Sequence, residues 1–203
     1  MFSKLDFLFF GWIVNWCYPE YYRPKQGYQR YYILFFHYLL PQKVYRLNPK
    51  VKWPVHYTSK VISPQNITKG ILCDPGDNIN NYIQANNKII FGSNIELAPG
   101  VSIISSNHDS SNLRKHVTAK PIIIGDNVWI GANTTVLPGV NIGNNVTIGA
   151  NSVVTKNIPS NSIAVGNPCK VIKVKEPYNE DLSKIIFNKK VPKKYLDFLN
   201  SNV

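Results

Sequence analysis

Starting at Val55, every sixth residue is apolar for nine steps: Val55, Val61, Ile67, Cys73, Ile79, Ala85, Phe91, Leu97 and Ile103. The row then stops and resumes as Ile124, Ile130, Val136, Ile142, Ile148 and Val154. A helix returns a side chain to the same face about every 3.6 residues and a strand every second residue, so neither element alone produces this spacing. One long strand is excluded as well, because strands rarely exceed about 10 residues. The period predicts a mainly β fold, a solenoid of hexapeptide repeats. Each hexad forms one flat, short strand, and its row residue points inward to stack on the equivalent residue of the next coil. Three faces per coil would turn the fifteen row positions into about five coils.

The positions around the row support the same reading. The residue after it is often small, as at Gly92, Ala98, Gly125, Gly131, Gly143 and Gly149. Asn or Gly recurs two places later, at Asn94, Gly100, Asn127, Asn133, Gly139, Asn145 and Asn151. Both residue types tolerate the left-handed backbone of a tight corner. The interruption is equally regular in its meaning. Ile103 and Ile124 are 21 residues apart where six would continue the lattice, so about fifteen residues, Ser105–Lys120, are expected to leave the solenoid as a loop. That loop is polar, rich in turn formers, and holds His108 and His116, two of the four histidines. Long loops on regular scaffolds commonly carry function.

The flanks differ. Phe2–Trp16 and Gln29–Leu40 are expected to be short helices, joined by a turn at 21–27 around Pro24 and Gly27. The row fails at Ser160, so Lys156–Lys173 is expected to be an irregular cap, followed by short helices over Asn179–Asn188 and Pro192–Asn200. The organisation is therefore an aromatic, basic helical segment over 1–52, a β-helix domain over 53–158 with its loop at 104–121, and a cap and tail over 159–203.

Charge sharpens this division. Residues 1–60 carry nine Lys/Arg against two acids, 61–169 six against five, and 170–203 eight against four. The net charge of +12 thus belongs to the two ends. The neutral centre offers no basic face for nucleic acid. Eighteen of the 25 aromatic residues precede residue 61. Two roles suit such a segment: peripheral contact of residues 1–45 with a membrane surface, or a cap packed on the solenoid or between subunits. Phe7–Val14 and Tyr31–Leu40 are too short to span a bilayer, and no secretory cleavage site follows the first. Cys17, Cys73 and Cys169 form neither a disulfide framework nor a metal motif, so a reducing cytoplasm is the expected compartment.

Four segments carry a specific resemblance. They are Pro-Ile-Ile-Ile-Gly-Asp-Asn-Val-Trp-Ile-Gly-Ala from Pro121, Leu-Pro-Gly-Val-Asn-Ile-Gly from Leu137, Ile-Gly-Ala-Asn-Ser-Val-Val-Thr-Lys from Ile148, and Ala-Val-Gly-Asn-Pro-Cys-Lys-Val-Ile-Lys from Ala164. In this order, after a loop that bears histidine, they resemble the hexapeptide-repeat acetyltransferases with a left-handed parallel β-helix. The closest likeness is to sugar O-acetyltransferases of the maltose, galactoside and capsular-polysaccharide kind. It covers roughly residues 70–175.

The resemblance implies acetyl-CoA as co-substrate, no metal, and His108 as the base that takes the proton of an acceptor hydroxyl, a task for which imidazole suits neutral pH. It places Asn78 and Asn86 (or its neighbour Asn87), with Asn107 and Asp109, on the acceptor side. The family commonly has Asp where Asn86 stands. His116 is the second loop histidine, a packing or acceptor-side residue. For the coenzyme it implies Gly131, Ala132, Ala150, Thr155, Lys156, Lys170 and Lys173, the lysines serving as partners for phosphate groups. Trp129 would flank the thioester. It lies one residue before row position Ile130, so strand alternation turns it outward. The family further implies a homotrimer with sites between subunits. Other functions on such a fold are N-acetylation of a nucleotide-linked amino sugar, a zinc hydratase, which would need three histidine ligands, and a scaffold without activity.

Overall fold

The computed structural model describes residues 5–18 and 30–179. The first described segment is helical, a π-turn over Phe7–Gly11 followed by α1 (Trp12–Cys17). The second continues as α2 (Tyr31–Leu34), a π-turn over Phe35–Leu39 and α3 (Leu40–Lys43). Over the described residues both agree with the expected helices. The expected turn at 21–27 and the tail helices over Asn179–Asn188 (beyond its first residue) and Pro192–Asn200 lie outside the described residues.

Among the described residues fourteen short strands follow, and three sheets hold them: β1-β3-β6-β9-β12, β2-β4-β7-β10 and β5-β8-β11-β13-β14. In the first sheet lie β1 (Lys60–Ile62), β3 (Tyr82–Gln84), β6 (Ser102–Ile104), β9 (Thr135–Val136) and β12 (Val153–Val154). The second contains β2 (Ile67–Thr68), β4 (Ile89–Phe91), β7 (Ile122–Ile124) and β10 (Asn141–Ile142). The third contains β5 (Ile95–Leu97), β8 (Val128–Ile130), β11 (Val146–Ile148), β13 (Ser162–Val165) and β14 (Lys170–Val174). Every pairing is parallel except β13 with β14. The chain visits the three sheets in turn, so its neighbours in space come from the previous and following circuits.

The apolar row forms the interior. Leu97, Ile130, Ile148 and Ala164 stand in register across the third sheet, and Phe91, Ile124 and Ile142 across the second. Ile130, Ile142 and Ile148 are wholly buried, each contributing about 1.5–3 kcal/mol by leaving water. All seven corner Asn and Gly positions noted above have positive φ, from 55° at Asn145 to 75° at Gly139. The corners also bond along the stack: Asn94 Nδ2 donates to Asn127 Oδ1 at 2.7 Å, and Asn145 Nδ2 to Asn161 Oδ1 at 2.8 Å.

Two expectations require correction. Ile79 is exposed, and Ile83 takes its place opposite Val61 and Ile103. The reason is unequal circuits. From Ile83 to Phe91 is eight residues, whereas the register-equivalent step from Val136 to Ile142 is six. The added pair sits at the corner carrying Asn86 and Asn87. The second correction concerns 156–173, which is ordered rather than irregular. Ile158 bridges to Ile142, β13 extends the parallel stack with Ala164 buried, and β14 folds back along β13.

The helical pair has its own small core of Val14, Tyr18, Leu34, Tyr38 and Leu39. It is tied to the first circuit by Gln42, a buried amide. Gln42 Nε2 donates to the carbonyls of Val51 and Trp53, and its Oε1 accepts from Tyr18 O–H and Val55 N–H. Tyr38 O–H adds a bond to the Asp77 carbonyl at 2.7 Å. Replacing Gln42 with leucine leaves these four groups without their partner, and each buried unpaired group costs about 1–3 kcal/mol. Gln42→Leu is therefore expected to lower the denaturation midpoint clearly, in a urea titration of the full chain. An unchanged midpoint would mean that the joint is held elsewhere.

Candidate active site

The loop leaves the first sheet after Ile104 and enters the second at Ile122. Its root is clamped from the circuit beneath. Gln84 Oε1 accepts from the N–H groups of Ser105 and Ser106 at 3.1 Å and from Ser106 O–H at 3.2 Å. Asn87 N–H donates to Ser105 Oγ, and its side-chain amide donates to the carbonyls of Ser105 and Val117. Asn87 is thus the member of the Asn86–Asn87 pair that reaches the loop. Asn86 is exposed and lies beside Ser63 and Asn66.

Above this root the loop doubles back. Val117 N–H donates to the Asn107 carbonyl at 2.8 Å and Asp109 N–H to the Lys115 carbonyl at 2.9 Å. His108 and His116 face each other across this short antiparallel bridge, with ring centroids 4.5 Å apart. Asp109 organises the tip. Its carboxylate accepts from the hydroxyl and N–H of Ser111 and from Asn112 N–H. These bonds, the Ser111 hydroxyl first, hold its pKa below the ordinary carboxylate value. Asp109 shapes the loop, and Asn107 contributes its carbonyl to the same frame.

His108 Nδ1 lies 2.6 Å from the carbonyl oxygen of Leu113. A carbonyl can only accept, so Nδ1 carries the hydrogen, and in the neutral ring Nε2 is left with a free lone pair. The imidazole is exposed, set in one tautomer, and able to accept a proton at Nε2. This is the orientation a general base requires. No signal in the sequence pointed to Leu113, because the group that acts is a main-chain carbonyl. Gln84 was also missed. Its one legible trace is a polar residue beside the inward Ile83 on a short strand.

Most of the residues expected on the coenzyme side lie on the third sheet and its margins. Trp129 points outward and is 50% exposed. Strand register sets Glu96, Trp129, Thr147, Ile163 and Lys173 in one row across the outer face. Lys170 lies on the same final strand, and Lys175 Nζ donates to Thr147 Oγ1 at 3.1 Å. Gly131, Ala132 and Ala150 occupy the corner leading from the third sheet to the first. Gly131 is buried against the next circuit, and a Cβ there would lie 2.6 Å from the Ala150 nitrogen. Asn78 stands on this same side, before β3, where its carbonyl accepts from Ser59 O–H. Thr155 and Lys156 follow β12, at the corner between the first and second sheets, the corner that also carries Asn86 and the loop. The expected residues therefore divide between the two margins of the first sheet.

Burial pushes the thiols of Cys73 and Cys169 up, which makes both poor nucleophiles. Among the described residues, no group of three or more His, Cys, Asp or Glu side chains is placed to hold a metal ion. His37 and His56 pair with each other at 5.6 Å on the helical joint.

Comparison with known proteins bears on this arrangement. The family described as Bacterial transferase hexapeptide (six repeats) matches residues 121–156. The galactoside O-acetyltransferase of Escherichia coli K12 is 43% identical over 99 residues, 47% of this chain and 49% of the relative. The chain spans about half the length of the curated relatives it matches. A solved galactoside acetyltransferase in complex with coenzyme A is 32% identical, covering 65% of this chain and 68% of that one, with a TM-score of 0.49. A solved N-acyltransferase from Bacillus cereus, in complex with dTDP and 3-hydroxybutyryl-CoA, is similar in fold: TM-score 0.51, 19% identity, 73% of this chain and 87% of that one.

Proposed function

We propose that this chain, which belongs to the hexapeptide-repeat acetyltransferases, moves an acetyl group from acetyl-CoA directly to a hydroxyl of a sugar or surface-polysaccharide unit. The observation that carries the reading is the Nδ1 bond of His108 to Leu113, which leaves Nε2 free on a loop above a hexapeptide solenoid. The related galactoside enzyme binds coenzyme A, which supports the same donor here.

The chemistry needs one base and no enzyme nucleophile. Nε2 of His108 takes the hydroxyl proton as the acceptor oxygen attacks the thioester carbonyl. The tetrahedral adduct collapses with cleavage of the carbon–sulfur bond, and the imidazolium returns its proton to the departing thiolate. Throughout, Nδ1–H stays bonded to the Leu113 carbonyl, which stabilises the transient positive charge. Trp129 flanks the pantetheine arm. Lys156, Lys170 and Lys173 meet its phosphates, with Thr155 and the backbone of Gly131, Ala132 and Ala150 lining the slot. Asn78, Asn86, Asn107 and Asp109 belong to the acceptor side, the last two through the shape of the loop.

On this reading the solenoid is a left-handed parallel β-helix of about five coils, and the active unit is a homotrimer in the cytoplasm. The division of site residues between two margins of one sheet supports the trimer: two copies side by side would bring His108 of one toward the coenzyme slot of the other. An acceptor screen tests the function. Released thiol is followed with acetyl-CoA against free sugars, nucleotide-linked amino sugars and capsule or O-antigen fragments. Turnover is expected with a hydroxyl acceptor. Turnover confined to amino sugars would replace O- with N-acetylation, and no release with any acceptor would overturn the reading.

A further inference from the structure

The helical pair at the start of the chain has two apolar faces, and its packing uses only one. Gly11, Val14 and Tyr18 are buried against the second helical segment, with Phe10 5.1 Å from Phe35 and 5.7 Å from Phe36. On the other side Leu5, Leu8, Phe9, Trp12 and Trp16 are exposed by 41, 65, 63, 61 and 77%. Their spacing of three, four, seven and eleven from Leu5 is that of one helical stripe. Phe36 and Tyr32 of the second segment are exposed as well. Scattered apolar residues on a surface are ordinary, but a continuous aromatic stripe is not.

Charge identifies what covers it. Arg30, Lys43, Arg46, Lys50 and Lys52 are all exposed. Among the described residues before Lys60 the one acid is Asp6. Its two carboxylate oxygens are engaged, accepting from the N–H groups of Tyr31 and Tyr32 at 2.8 Å each. An apolar aromatic stripe accompanied by cations alone does not suit a second copy of itself, since like charges would be brought together. It suits a surface with an apolar interior and anionic headgroups, where Trp and Tyr settle at the boundary and Lys and Arg meet the lipid charge. Among the described residues no helix is long and apolar enough to cross a membrane. The run from Phe7 to Cys17 is eleven residues, about half of the roughly 20 that a span requires. Contact would therefore be along the surface.

We infer that the stripe Leu5–Leu8–Phe9–Trp12–Trp16 seats the protein on an anionic lipid bilayer, with exposed Lys and Arg residues of the same N-terminal region on the headgroups. This does not depend on the acetyl-transfer reading. The test is co-sedimentation of the full chain with phosphatidylcholine vesicles, with and without phosphatidylglycerol. Wild type is expected to partition to the anionic vesicles, less so as salt is raised. The double variant Trp12→Ser/Trp16→Ser is expected to lose about tenfold or more of that partitioning. Because both side chains are exposed, its circular dichroism and thiol release should match wild type. Lys50→Glu/Lys52→Glu should reduce the preference for anionic over neutral vesicles. Failure of wild type to bind either vesicle overturns the inference, as does equal binding by the tryptophan variant. So would a tryptophan variant that changes oligomeric size while vesicle binding stays constant, which would assign the stripe to a subunit contact.

Discussion

Replacing His108 with alanine is expected to reduce acetyl transfer by about 10²- to 10⁴-fold, the usual worth of a positioned general base. The loss should fall on kcat, because in the proposed mechanism the ring acts on the reacting hydroxyl rather than on the coenzyme. Binding of acetyl-CoA, followed by calorimetry, should be unchanged, since on this reading the coenzyme is held by Trp129, Lys170 and Lys173 on the third sheet and by Lys156 beyond β12, none of them in the loop. Folding should also be unaffected: the imidazole is exposed, and the loop frame is made by main-chain bonds at Asn107, Asp109, Lys115 and Val117. A variant that keeps most of its activity would remove His108 from the mechanism. His108→Gln makes a useful companion, because it retains a hydrogen-bonding side chain but has no basic nitrogen. It should be as inactive as the alanine variant. If glutamine restores turnover, the role is positioning rather than proton transfer.

The second large effect is on stability, and it separates two adjacent residues. Ile130 is wholly buried between Leu97 and Ile148, while Trp129 beside it is half exposed on the outer face. Ile130→Ala opens a cavity between two circuits that cannot close, because strand bonding holds their spacing. The expected cost is about 2–5 kcal/mol. Trp129→Ala removes a larger side chain yet should cost little stability, and should instead raise the KM for acetyl-CoA. Urea denaturation and initial-rate kinetics on both variants check the contrast. Equal destabilisation by the two changes would make Trp129 a packing residue and remove it from the coenzyme slot.

Much of this architecture is legible in the sequence for a simple reason. In a solenoid the residues that stack are separated by a nearly constant number of positions, so periodicity along the chain reports contact between circuits. Ile124, Ile130, Val136, Ile142, Ile148 and Val154 obey the count without exception. The corner residues are legible because few side chains accept positive φ. Trp129 is legible because a strand alternates. Where the circuits change length the count fails. Ile79 looks like a row member and lies outside, since the register is set by main-chain bonds to Val61 and Ile103, not by distance along the chain.

The loop illustrates the other limit. Its position and its histidines follow from a gap in the row, but the bond that orients the His108 ring does not. The Nδ1 partner is the carbonyl of Leu113, five residues away around a turn that Asp109 stabilises, and every residue type has such a carbonyl. Sequence by itself determined a parallel β-solenoid interrupted once by a loop bearing histidine, because side-chain size and backbone tolerance repeat with the fold. Tertiary structure alone decided the tautomer of that histidine, the clamp formed by Gln84 and Asn87, and the separation of the expected site residues onto two margins of one sheet. These depend on which main-chain groups meet across circuits, and main-chain groups are the same in every residue.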